Sequence, residues 1–436
     1  MREQKMANRT QPAPHEYQPD TAPVQWLKTI FSDAADALRP LSAAGRFLHI
    51  FYLLGPFILL IERSPADMWL SVCALTFFAR CIIQRDWAWV RFFWVKAVLV
   101  FWVICLISAS LSVLPAYSLG EAFIWIRFPL FAFASCFWLA QDRRILMAML
   151  VCCGAGMIIM CGILTAELLI VGKQWGRLSW PYGDLTPGNY LGKACMPAFC
   201  MLAAYVASGM KRGHLYGAGL ILYVMMISIF TGERINFLLL VCGGVMTVMV
   251  WRPYIRIFIG TAAAIIAASS AVFILSPRAA ARFLQEFLAS APWHEDSPYM
   301  RVWNGAIEAF YTSPWLGIGP DGYRKLCPQI TQGMAHIDCH TQPHQYYLQM
   351  LAETGIIGLL AGIVMVGAII WRCFKIRLMG RSHLVSATAF VLPFGLFFPL
   401  QSTGDFFGQW NNIFLWSAVS FALACQAFIK EEHKRV

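Results

Sequence analysis

The sequence predicts an all-α polytopic membrane protein with about twelve transmembrane helices and one structured external loop between helices nine and ten. Three observations carry this prediction. Hydrophobic residues fill 59% of the 436 positions and charged residues only 13%, with a mean hydropathy of +0.59. Apolar runs recur at the length of about twenty residues that a helix needs to cross a bilayer. Those runs do not alternate apolar with polar positions, as the strands of a membrane barrel would.

Taken in order, helices are expected near 47–62, 67–84, 92–113, 120–140, 145–171, 190–209, 214–230, 235–251, 256–276, 345–371, 382–401 and 408–429. Residues 1–46 are polar, carry prolines and both charge signs, and read as a cytoplasmic tail with room for some order. They lack the apolar core of a cleaved signal peptide. The organisation that follows is a tail over 1–46, nine helices over 47–276, an external catalytic loop over 277–344, three helices over 345–429 and a short tail over 430–436.

The net charge of +11 would point to nucleic acid in a soluble protein. Here the basic residues lie in alternate short connections: Arg80, Arg85 and Arg91; Arg143 and Arg144; Lys211 and Arg212; Arg252 and Arg256; Arg372, Lys375, Arg377 and Arg381. The opposite connections hold few, chiefly Arg63, Lys173, Arg177 and Arg234. This asymmetry follows the positive-inside rule with both ends cytoplasmic. Topology therefore accounts for the charge, and no nucleic-acid partner is expected.

Fourteen cysteines are present. Most sit inside apolar runs, where a thiol is a small apolar side chain. Cys327 and Cys339 instead lie in the polar loop, and can bridge if that loop faces an oxidising compartment. The same loop contains A-A-A-R-F-L-Q-E-F-L-A, apolar at helical spacing, and a second expected helix from near Tyr299 to the turn signal T-S-P.

The polar residues at the mouths of the helices are the candidates for chemistry, because ionisable groups in a membrane are costly to keep. Arg234, in T-G-E-R-I-N, is either an interfacial arginine snorkelling to water or a guanidinium fork for a phosphate. Arg301 opens the second loop helix and could equally pair with Glu295, Asp296 or Glu308. His336, His340 and His344 are spaced four apart, but Pro343 interrupts them and no H-E-x-x-H pattern accompanies them, so no metal site is expected. Alternatively one histidine, His344 at the mouth of helix ten, acts as a general base. Glu353 falls nine residues later, about 13 Å along the helix, and needs a partner such as Arg127 or Lys193. Gly355 and Gly358 would let helices pack closely beside it. Lys173, Arg177, Trp175 and Trp180 form either an interfacial aromatic belt or a surface for lipid phosphate and sugar. Asp405 in S-T-G-D is external and has no evident role.

Together, Arg301-x-Trp303, P-W-L-G-I-G-P-D-G-Y, the segment H-Q-Y-Y-L-Q-M-L-A-E-T-G-I-I-G from His344 to Gly358, and T-G-E-R-I-N resemble the signature region of the O-antigen ligase and polymerase superfamily. Two positions depart from the usual pattern. Glu233 stands where a small residue commonly precedes the arginine, and Gln345 stands where many members have Asn. The resemblance implies a GT-C-like fold and an inverting, metal-independent glycosyl transfer that uses no cofactor. The donor it implies is a glycan on undecaprenyl pyrophosphate, and the acceptor is the lipid A–core oligosaccharide, both met at the membrane lipid surface. It assigns His344 as base and Arg234 and Arg301 to the pyrophosphate. Lys173, Arg177, Trp303, His340 and Tyr347 become substrate contacts, and Glu353, Gly355 and Gly358 become structural. A lipid-linked acceptor, as in a polymerase, or a protein acceptor would use the same residues. A transporter would instead spread its charges through the membrane core and show inverted symmetry, and neither is visible here.

Overall fold

A computed structural model describes residues 22–173, 177–181, 196, 198–207, 212–250, 255–286, 297–334, 336–379, 384–399 and 402–428. Among these residues the regular structure is helical, with no strand. In chain order the helices are α1 (Pro23–Leu38), α2 (Ala43–Leu53), α3 (Gly55–Ile58), α4 (Arg63–Gln84), α5 (Phe93–Ser110), α6 (Pro115–Trp125), α7 (Arg127–Ala134), α8 (Arg143–Ile170) and α9 (Ala198–Ala207). There follow α10 (Gly213–Phe230), α11 (Arg234–Val250), α12 (Ile255–Leu275), α13 (Pro277–Ala280), α14 (Pro298–Thr312), α15 (Tyr323–Ile330), α16 (Tyr346–Met379), α17 (Leu384–Thr388), α18 (Val391–Leu396) and α19 (Gln409–Ala424).

Among the described residues, six helical stretches are long and apolar enough to cross a membrane: 63–84, 93–110, 115–139, 143–170, 213–230 and 346–379. The apolar helices α9, α11 and α12 contribute shorter apolar stretches. The interior is held by aromatic packing rather than by charge. Trp125 is fully buried, with the rings of Phe101, Phe406 and Trp416 between 5.5 and 5.8 Å from its own. Such pairs add roughly 0.5–1.5 kcal/mol each beyond the area they bury.

Several helices depart from the expected runs, each for a local reason. The stretch expected over 47–62 ends at Leu53 and restarts at Gly55, where a Cβ would lie 2.0 Å from the Trp69 ring and Pro56 has no N–H to continue the ladder. Within the expected tail, α1 packs on α8, where Ala37 and Leu38 cluster with Ile145, and Trp26 meets Tyr205 of α9, so its amphipathic pattern finds partners. The segment expected as one helix over 382–401 forms the short α17 and α18. Residues 1–21, Trp175 and Lys193 lie outside the described residues.

The break that matters most is in α16. Gly355 has φ 65° and ψ −170° and splits this helix in two. A split strands carbonyls on one side and N–H groups on the other, and buried polar groups of this kind must find partners. The P-W-L-G-I-G segment supplies them. Ile318 and Gly319 donate to the carbonyls of Ala352 and Glu353 at 3.0 and 2.9 Å, and Ile356 donates to the Pro314 carbonyl at 2.9 Å. Ser108 adds hydroxyl bonds to the Leu316 and Glu353 carbonyls. A Cβ at Gly355 would stand 2.3 Å from the Trp315 backbone, and one at Gly317 (φ 71°) would stand 2.3 Å from that of Glu353. Gly355 and Gly317 therefore serve the approach of a loop to a broken helix, where the sequence predicts helix-to-helix packing at Gly355, while Gly358 faces the Thr354 side chain of its own helix.

Candidate functional site

His344 sits immediately before α16, at φ 55°. Its position is fixed from the 402–407 segment: Thr403 N–H donates to the His344 carbonyl at 2.8 Å, and the Thr403 carbonyl lies 3.4 Å from His344 Nδ1. Gln342 Nε2 lies at the same 3.4 Å from that nitrogen. Gln345 then caps the helix, its Oε1 accepting from Leu348 N–H at 2.6 Å while its Nε2 donates to the Pro399 carbonyl at 2.9 Å. An amide serves both partners at once, because its oxygen accepts while its NH₂ donates. The exposed His340 ring stands 5.8 Å from that of His344, and Tyr347 donates its hydroxyl to the Phe397 carbonyl at 2.7 Å.

Arg301 projects from α14 to Asp338, with Nη2 and Oδ1 3.0 Å apart. Asp338 is therefore a carboxylate partner that the sequence did not point to, and Glu295 and Asp296 lie outside the described residues. The contact joins α14 to the histidine-bearing segment. Trp303 is half-buried one helical step away, and its indole N–H has no partner among the described residues. Cys327 of α15 is bonded to Cys339, which ties that same segment to α15.

Behind these residues lies a polar network that the sequence analysis did not assemble. Arg324 of α15 pairs with Asp321 at 2.9 Å and with Asp405, and Tyr117 donates to Asp321. Gln349 donates to Asp405 at 2.7 Å and to Glu353 at 3.1 Å, and accepts from Phe406 N–H at 2.8 Å. Glu353, wholly buried, also accepts from Tyr323 N–H at 3.0 Å. Its expected partner Arg127 is engaged elsewhere, with Asp67 at 2.9 Å. Burial, reinforced by the charge of Asp405, pushes the Asp321 carboxyl up to about 7. The network brings together Tyr117, the pair Asp321 and Arg324, the pair Gln349 and Glu353, and Asp405, four stretches too far apart in sequence for any spacing rule to join. In the sequence Asp321 lies within P-W-L-G-I-G-P-D-G-Y and Arg324 follows it three residues on, the only local signal of their pairing.

A second group forms around the turn before α11. Arg177 pairs with Glu233 at 3.1 Å, and Lys173 stands over the Phe230 ring at 5.3 Å. Ser179 and Trp180 donate their N–H groups to the buried Glu167 at 2.7 and 2.9 Å, which fastens this loop to the end of α8. Arg234 opens α11 directly after Glu233. Lys173, Arg177 and Arg234 are thus gathered at one helix end. His344 and Arg301 belong to the first group, each with its own set of contacts. Among the described residues no cluster of His, Cys, Asp and Glu has the form of a metal site.

Fold and site together define an integral membrane protein of apolar helices, with basic and histidine residues collected at helix mouths and in one folded connection. Residues 218–363 match the family model described as O-Antigen ligase, a match over part of the chain that supports a place in the O-antigen ligase superfamily. No curated protein matches the chain. Among solved structures, a chain from "Structural coordination of polymerization and crosslinking by a peptidoglycan synthase complex" is similar at 15% identity and a TM-score of 0.47, covering 80% of this chain and 98% of that one.

Proposed function

We propose that this protein transfers an O-antigen glycan from undecaprenyl pyrophosphate to the lipid A–core oligosaccharide, with inversion, on the periplasmic face of the bacterial inner membrane. Twelve spans in a GT-C-like arrangement, both termini cytoplasmic and loop 277–344 periplasmic, complete the reading, which the alternation of basic connections supports. The observation that carries the chemistry is the seating of His344. It is half-buried at the mouth of a membrane helix, with its Nδ1 turned toward the Thr403 carbonyl. With Nδ1–H donated to that carbonyl, Nε2 holds the lone pair of a base.

In the reaction, an acceptor hydroxyl attacks the anomeric carbon of the donor as its proton passes to His344 Nε2. The new C–O bond forms as the bond from the anomeric carbon to the pyrophosphate oxygen breaks, and the lipid pyrophosphate leaves with the electron pair. Arg234 and Arg301 offset the negative charge growing on that leaving group, a stabilisation worth most where water is excluded. Lys173 and Arg177 extend the basic surface toward the second phosphate, and Trp303, His340 and Tyr347 line the approach of the sugars.

The test is transfer by purified protein given an undecaprenyl pyrophosphate-linked glycan and lipid A–core, in chelator and without ATP. A gel-shifted lipopolysaccharide that disappears in His344→Ala is expected. Elongated lipid-linked glycan in its place would identify a polymerase, and absence of either product would overturn the transfer reading.

A further inference from the structure

The two ends of the helical body treat their basic residues differently. On the His344 side arginines meet carboxylates: Arg301 meets Asp338, Arg324 meets Asp321 and Arg177 meets Glu233. At the opposite end several lie on aromatic rings, as Arg80 does over Trp138 and Arg377 over Phe374 and Phe390. Two of them converge on one ring, that of Phe92 at the start of α5. Arg91 stands 5.5 Å from the ring centre, and Arg372, late in α16, stands 5.4 Å from it. The rise from Tyr346 to Arg372 is about 40 Å along the helix, the distance from one headgroup layer to the other. Phe92 is held in turn by the Phe137 ring at 5.2 Å. Arg372 gives one N–H to Gln426 Oε1 at 2.8 Å. Among the described residues neither guanidinium is paired with a carboxylate. Asp86, the acid nearest to Arg91 in sequence, is engaged by the Ala88 N–H at 3.3 Å.

From this convergence we propose that Arg91 and Arg372 form a binding site for the phosphate of an anionic phospholipid, in the leaflet opposite His344. An aromatic ring holds a guanidinium in place without neutralising its charge or occupying its N–H groups. Two like charges gathered on one ring repel each other, and an anion bound there turns that cost into attraction. Lys96, exposed one turn further along α5 on the side of Phe92, adds a third positive charge. The surroundings select a lipid over a free phosphate. Phe93 and Trp371, next in sequence to Phe92 and Arg372, are 65% and 54% exposed on spanning helices, where acyl chains would cover them. A zwitterionic headgroup would bring its own cation into the cluster, so a lipid with net negative charge is favoured. The site lies at the far end of α16 from the residues given to glycan transfer and does not rest on that reading.

The experiment titrates delipidated full-length protein in detergent with dioleoylphosphatidylglycerol or dioleoylphosphatidylcholine, and reads bound lipid by native mass spectrometry. The phosphatidylglycerol is expected to bind the more tightly. Arg91→Gln and Arg372→Gln should each weaken it about tenfold, the worth of one charge-assisted hydrogen bond, and leave phosphatidylcholine unchanged. Arg39→Gln removes the same charge from an exposed position at the same end of the body, where Asp36 pairs with it at 3.1 Å, and should change neither. Elution volume and circular dichroism report that each variant is folded. Equal affinity for the two lipids, indifference to both substitutions in folded protein, or an equal loss in Arg39→Gln would overturn the site. Displacement by inorganic phosphate as readily as by further phosphatidylglycerol would overturn it too, in favour of a free anion. No glycan enters the measurement, so its failure leaves the proposed transfer standing, and failure of that transfer leaves the lipid site standing.

Discussion

The region around His344 and the region around Arg234 both present ionisable residues at helix mouths, but they are built by different means. Around His344 nearly every polar group is tied to the backbone of another segment: Thr403 to His344, Gln345 to Pro399, Gln349 to Phe406, the 314–319 loop to the broken α16. Around Arg234 the contacts are chiefly between side chains (Arg177 with Glu233, Lys173 over Phe230), and the helix that Arg234 opens lines an apolar cleft. Backbone hydrogen bonds fix atoms closely, whereas apolar walls accept a range of shapes. The first construction suits a proton transfer that depends on short distances. The second suits a long, flexible substrate.

The comparison breaks most readily at the residues assigned to chemistry. His344→Ala should lower transfer by about 10²–10⁴-fold, and Arg234→Ala by a similar factor, with protein levels intact on immunoblots. Normal turnover in either variant would remove that residue from the mechanism. Next in size is the covalent tie. Cys327 and Cys339 are 12 residues apart, and closing a loop of that order stabilises by about 3 kcal/mol in the chain-entropy account. Cys327→Ser should therefore lower the thermal midpoint in detergent, and dithiothreitol should do the same to the parent protein but not to the variant.

Asp321 gives a pH-dependent signature peculiar to the His344 region. Its carboxyl is pushed up to about 7 in the folded protein, against about 3.9 when unfolded. Between these values the folded state holds a proton that the unfolded state has released. Its contribution to stability is therefore present at about pH 4 and declines as pH rises to about 7. Asp321→Asn should flatten that part of the curve of thermal midpoint against pH; an unchanged slope would exclude Asp321 as its origin. The smallest effect is expected at Arg177–Glu233, a partly exposed pair worth about 0.2–1 kcal/mol. Glu233→Gln should raise the donor KM a few-fold, leave kcat unchanged, and show non-additivity with Arg177→Gln.

Much of the molecule was legible in the sequence for reasons that follow from its chemistry. Apolar run length gave α4, α5, α8, α10 and α12 to within a few residues, because a bilayer leaves few alternatives to a helix. The T-S-P turn correctly ends α14 at Thr312. What periodicity could not show was pairing between distant segments. Glu353 was expected to need a partner; Gln349 stands one turn before it on α16, but Tyr323 and the carboxylates around Arg324 meet it only after α6, α15, α16 and the 402–407 segment have packed. Arg301 found Asp338 for the same reason. Gly355 looked like a packing glycine because a break and a close contact leave the same residue in the sequence.

The pairing of the 314–319 loop with α16 has a consequence for how this membrane protein breathes. The loop N–H groups of Ile318 and Gly319, and the helix N–H group of Ile356, are bonded across the break, so none can open to water without its counterpart segment moving as well. Loop and half-helix form one cooperative unit. In a hydrogen–deuterium exchange experiment the loop amides would then take up deuterium on the slow schedule of a membrane helix, and Gly355→Ala would accelerate both segments together.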